Sequence, residues 1–96
     1  MKKTEKLIIL AADIMECEEQ LIKSATVQEY NDAIRAIKMC LDEALQAEEL
    51  INFWPIVKEV EIELTKLEVG EIMKRQFSCE KLYKQLVITV AEEIKN

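Results

Sequence analysis

TVQEYNDAIRAIKMCLDEALQAEELINFWP, running from Thr26 to Pro55, decides the fold of this chain. Thr26 and Glu29 form a T-x-x-E pattern. A Thr at a helix N-cap accepts from the free N–H three residues on, and the Glu reaches back to the cap's own N–H. Val27, Tyr30, Ile34, Ile37, Leu41 and Ala44 then recur three and four apart, which places them on one face of a helix. Ala33, Cys40 and Ala47 flank that stripe and are small, so a neighbouring helix can approach closely. The pattern predicts a helix over 27–52, roughly 37 Å long from Val27 to Ile51. Pro55 ends it, because the residue before a proline is pushed out of the helical region. The same proline can open the next helix, whose first turn has no use for the missing N–H.

Outward from this stretch the periodicity continues. A first helix over 5–23 has Thr4 as its expected cap and Leu7, Leu10, Ile14, Cys17 and Leu21 as its stripe, which Ile8, Ala11, Met15 and Ile22 widen. The break Ser24-Ala25-Thr26 is short, so the first two helices should form an antiparallel hairpin. A third helix over 55–76 carries Ile56, Val60, Leu64 and Leu67, then Ile72, Met73 and Phe77. Val60, Ile62 and Leu64 also alternate with Glu59, Glu61 and Glu63, a strand template. Helix is preferred, because Glu and Lys are poor strand residues. Gly70 either bends this helix or ends it. Ser78 is the expected cap of a fourth helix over 79–95, with Leu82, Leu86, Val90 and Ala91 as its stripe and Tyr83, Val87 and Ile94 beside it. The β-branched run Val87-Ile88-Thr89-Val90 suggests burial on more than one side. The expected fold is an all-α, four-helix antiparallel bundle in a single domain. The wide apolar stripes on the first and fourth helices point to a homodimer.

Ninety-six residues make one domain with one shallow core. One Gly and one Pro, with half the residues hydrophobic and a third charged, favour helices over disorder or an all-β fold. Met1-Lys2-Lys3 followed by Leu7 to Ala12 superficially resembles a signal peptide, but Asp13 interrupts the apolar run and no small-residue cleavage site follows. No apolar run approaches a membrane span. Cys17, Cys40 and Cys79 are far apart in sequence and lie on helical faces, as small packing residues in a reducing cytoplasm would. With no His and no C-x-x-C, neither a metal nor any other cofactor is expected.

The net charge of −6 is concentrated. Residues 42–63 carry Lys58 against Asp42, Glu43, Glu48, Glu49, Glu59, Glu61 and Glu63, while the segments on either side are nearly balanced. The excess surrounds Phe53-Trp54-Pro55. Either this is a solvated acidic surface with the Trp tucked into the core, or it is an acidic rim around an aromatic anchor aimed at a basic protein. On the second reading Phe53, Trp54, Glu48, Glu49, Glu59, Glu61 and Glu63 bind the partner, and the field repels nucleic acid from that end.

Three functions are compatible with these residues. The first is a non-enzymatic helical protein that binds and regulates or inhibits another protein, a class that includes accessory inhibitors of the phage or plasmid type. The second rests on Ile72 to Lys84. Ser78-x-x-x-Leu82-Tyr83 is similar to the start of recognition helices in several bacterial repressor families, which implies a helix-turn-helix over 72–86 with Lys74, Arg75, Lys81 and Lys84 on phosphates. The third rests on Glu16-x-x-Glu19 and Glu29-x-x-Asp32, which resemble the E-x-x-E and E-x-x-D pairs of the MazG-like nucleotide pyrophosphohydrolases. That resemblance implies carboxylates on two packed helices holding Mg²⁺. Net acidity works against the second reading, because non-specific affinity for nucleic acid comes from basic charge. The first is the expectation carried forward.

Overall fold

The computed structural model describes residues 3–95; Met1, Lys2, Asn96 and the side chains of Ile94 and Lys95 lie outside what it describes. It contains α1 (Lys3–Lys23), α2 (Val27–Gln46), a 3-10 helix (Glu48–Phe53), α3 (Trp54–Glu68), a 3-10 turn (Lys74–Gln76) and α4 (Glu80–Lys95). There is no strand among the described residues, so the alternating stretch 60–64 is helical. Its Val60 and Leu64 join Val57 and Leu67 on the buried face, while Ile62 is exposed.

Paired side chains fix the direction of each packing. Lys6 Nζ donates to Glu49 Oε1 at 2.8 Å, from the start of α1 to just past the end of α2. Tyr30 donates to the Leu67 carbonyl at 3.0 Å, from the start of α2 to the end of α3. Tyr83 donates to Glu18 at 2.9 Å, from early α4 to late α1. Each contact joins the start of one helix to the end of its neighbour, so the bundle-like fold is antiparallel. Its core runs along one face of every helix, through Leu7, Ile14, Ile37, Leu41, Leu64 and Leu82.

α2 starts as its sequence dictates. Thr26 Oγ1 accepts from the Glu29 N–H at 3.1 Å. Glu29 reaches back one residue further than expected, accepting from the Ala25 N–H at 2.8 Å. The end differs. α2 stops at Gln46 rather than near 52, because Ala47 is extended (φ −91, ψ 108) and a 3-10 helix follows. At α1, Thr4 lies inside the helix and is not its cap. Ser78 Oγ accepts from the Glu80 N–H at 3.1 Å, as a residue placed just before α4 can.

The larger correction concerns α3. It ends at Glu68 instead of running to 76. Gly70 takes φ +81, a left-handed conformation that strains any L side chain. The Gly70 N–H donates to the Leu67 carbonyl at 3.2 Å and the Glu71 N–H donates to the Lys66 carbonyl at 2.8 Å. Those two bonds form a Schellman motif, which satisfies carbonyls that the helix end leaves free. The following residues then cross back toward α1, burying Phe77 and Cys79 on the way.

A Cβ added at Gly70 meets no atom within 4 Å, so only backbone conformation opposes substitution there. Gly70→Ala should therefore lower unfolding stability by about 1 kcal/mol, the left-handed penalty of about 1–2 kcal/mol offset in part by the unfolded chain's lost freedom. Urea unfolding measures it. Gly70→Asn should recover part of the loss, since Asn tolerates that conformation. An unchanged midpoint for Gly70→Ala would mean that the helix end does not rely on it.

Candidate functional site

The aromatic corner is built into the fold. Phe53 is 2% exposed and its ring lies in the core. Trp54 is half-buried, and its Nε1–H donates to the Ala44 carbonyl at 2.9 Å. Ala44 is within the last turn of α2, where carbonyls lack helical partners, so the indole acts as a side-chain cap. The Trp neither stands out as a free anchor nor disappears: it is half-buried with its one polar group engaged.

The acidic residues form two groups. Glu48 and Glu49 are exposed on the 3-10 helix and, with Glu43 of α2, line an open depression that also contains Lys6. Lys6 holds the Glu49 carboxyl below its ordinary range through their hydrogen bond. Glu59 and Glu63 are exposed one turn apart on α3, and Glu61 is half-exposed on the same helix. The depression by Ala47 gathers none of these three.

The cations expected on DNA are arranged differently from a recognition unit. Lys74 Nζ donates to the Ser24 carbonyl at 2.8 Å and ties the 3-10 turn to the α1–α2 connection. Arg75 is exposed, with its guanidinium 3.8 Å from Met73 Sδ. Lys81 is exposed, and Lys84 pairs with Glu80 at 3.1 Å along α4. The helix-turn-helix expected over 72–86 is not formed. Such a motif needs two helices joined by a turn of about 3–4 residues. Here α3 ends at Glu68 and the connection to α4 occupies 69–79, with only a 3-10 turn inside it, so 72–86 contains a single α-helix.

The carboxylate pairs are engaged locally. Glu19 accepts from Lys23 at 2.6 Å, which lowers its carboxyl from the ordinary value. Glu29 accepts from the α2 cap, and Asp32 lies 3.8 Å from Arg35. Glu16 is exposed on its own. Among the described residues, no group of three or more His, Cys, Asp and Glu side chains is placed to hold a metal ion.

What remains is a groove between α1 and α4. Ile8, Ala12 and Met15 line one wall and Val87, Val90 and Ala91 the other, around a volume of about 460 Å³. Ile8 is 53% exposed, Met15 56% and Val87 67%. Single exposed apolar residues are ordinary, whereas a contiguous patch marks an interaction surface. The groove is framed by ionic and polar contacts, Lys3 with Glu93 at 3.7 Å at one end and Tyr83 with Glu18 at the other. The sequence signal for it was the extra width of the two apolar stripes, and the structure puts that width in solvent. In comparisons with known proteins, no family model, curated protein or solved structure matched this chain.

Trp54→Phe keeps most of the ring and removes one donor. It should cost about 1 kcal/mol, the usual net worth of such a bond. Amide exchange at Ala47 and Leu50 should quicken as the end of α2 frays. If exchange there is unchanged, the Ala44 carbonyl does not depend on the indole.

Proposed function

We propose that this chain is a non-enzymatic interaction protein that pairs with a second copy through the α1–α4 groove and presents its glutamates to a larger basic protein that it regulates. One observation carries this reading: Ile8 and Met15 on α1 and Val87 on α4 line the two sides of an apolar groove that the single chain leaves in water. Burying such a wall gains on the order of 25 cal/mol per Å² of apolar surface, and two copies offer each other the same surface about a two-fold axis. The β-branched stretch Val87-Ile88 of α4, exposed in one chain, then becomes half of an interface.

The acidic groups support the second half of the reading. Glu48 and Glu49 on the 3-10 helix and Glu59 and Glu63 on α3 are exposed; Lys6 pairs with Glu49, and Lys58 is the one basic residue between 42 and 63. A concentrated negative field speeds encounter with a basic surface, and salt weakens that steering. No described helix is long and apolar enough to cross a membrane, which fits the proposed cytoplasmic location.

Sedimentation of the purified chain tests the pairing. The wild type should sediment as a dimer, and Ile8→Glu with Val87→Glu should yield a folded monomer. A monomeric wild type at high concentration would remove the dimer. Capture from host lysate tests the partner. Binding of one basic protein should be released by salt and lost on Glu59→Lys with Glu61→Lys, helicity being unchanged. Full retention by that variant would detach the α3 glutamates from the function.

A further inference from the structure

A second groove, between α1 and α2, is built differently from the one beside α4. Ala44 and Ala47, at the end of α2, line it with side chains too small to fill it, and the chain then turns away into the 3-10 helix. The space left open is about 290 Å³, with Leu10, Ala44 and Leu50 as its buried apolar floor and the exposed Ile9 beside them. Its α1 side is set by Lys6, Ile9, Leu10 and Asp13, which recur at helical spacing. They span roughly 10 Å, about two helical turns. Past Ala47 the groove continues into the depression by Glu48 and Glu49, with Lys6, Glu43 and Ala47 common to both.

The charges along it are unbalanced. Asp13, Glu43, Glu48 and Glu49 line the combined groove against Lys6 alone. Lys6 is taken by Glu49 at 2.8 Å. Among the described residues, no ion pair takes up Asp13, Glu43 or Glu48.

We propose that this groove seats a short amphipathic helical segment of the basic partner, its apolar residues on Leu10, Ala44 and Leu50 and its Lys or Arg side chains on Asp13, Glu43 and Glu48. The assignment rests on the reading of a basic partner given above and names the part of this chain that holds it. An amphipathic helix enters such a groove through apolar anchors three and four residues apart. Long basic side chains lay their stems along apolar surface and keep their charged ends at the rim. A floor flanked by uncompensated carboxylates matches that pattern in both shape and sign. A second copy does not match it, because the face would meet its own negative charge. The α1–α4 groove shares no lining residue with this one, so pairing there does not use it.

The test titrates the full-length, ¹⁵N-labelled chain with a capped peptide of leucine, alanine and arginine, about 15 residues long so that its helix can hold. Its leucines stand at i, i+3 and i+4. A control peptide has the same composition with the leucines spread around the helix. Expected is micromolar binding with amide shifts centred on Leu10, Asp13, Glu43 and Ala47, and at least about tenfold weaker binding of the control. Asp13→Lys with Glu43→Lys should weaken binding about tenfold or more at unchanged helicity. Ala47→Trp, which fills the groove, should do the same. Glu59→Lys, outside the groove, should stay within about twofold of wild type. Shifts centred on 59–63 or on Ile8 and Val87, equal binding of the control, or no binding would each overturn the groove assignment. The basic-partner reading falls separately, on failure of the lysate capture.

Discussion

The carbonyl of Ala44 is the point on which the arrangement of the chain turns. It accepts from the Ala47 N–H at 3.3 Å and from the Trp54 indole at 2.9 Å. With that oxygen occupied, α2 stops and Ala47 becomes extended. The 3-10 helix that follows drops Leu50 and Phe53 into the core. α3 then starts at Trp54, with Pro55 in its first turn, and runs back along α2. At the opposite end Tyr30 takes the Leu67 carbonyl and Lys38 pairs with Glu68 at 2.7 Å. Helix ends are thus tied by side chains from elsewhere in the chain, which matters in a small domain whose core alone supplies little margin.

The same feature explains what could be read from the sequence and what could not. The start of α2 was legible because Thr26 and Glu29 act on backbone within four residues of themselves. The end of α2 was not, because the group that fixes it is an indole ten residues further on. The direction of Phe53 was equally hidden: an aromatic next to Trp and Pro has no periodic pattern to assign it to core or surface. Gly70 was visible as a breaker but ambiguous, since a glycine also survives inside helices at about 1 kcal/mol. Only its φ of +81 decides. That one angle also removes the helix that the repressor-like stretch 72–86 needed.

The groove was legible for a different reason. Apolar width on a helix shows in sequence whether or not the fold covers it, so Ile8, Met15 and Val87 could be marked as excess before their exposure was known. The carboxylate pairs misled for the converse reason. Spacing puts Glu16 and Glu19, or Glu29 and Asp32, on one helical face, but it does not say what each oxygen is already bonded to. Lys23, the Ala25 N–H and Arg35 occupy three of the four.

α1 serves two packings at once. Leu7, Leu10 and Ile14 are buried in the core, while Ile8, Ala12 and Met15 line the groove beside α4. The wall offered for pairing thus sits on a helix that the rest of the fold already holds, so little conformational freedom is left to lose when a second copy meets it.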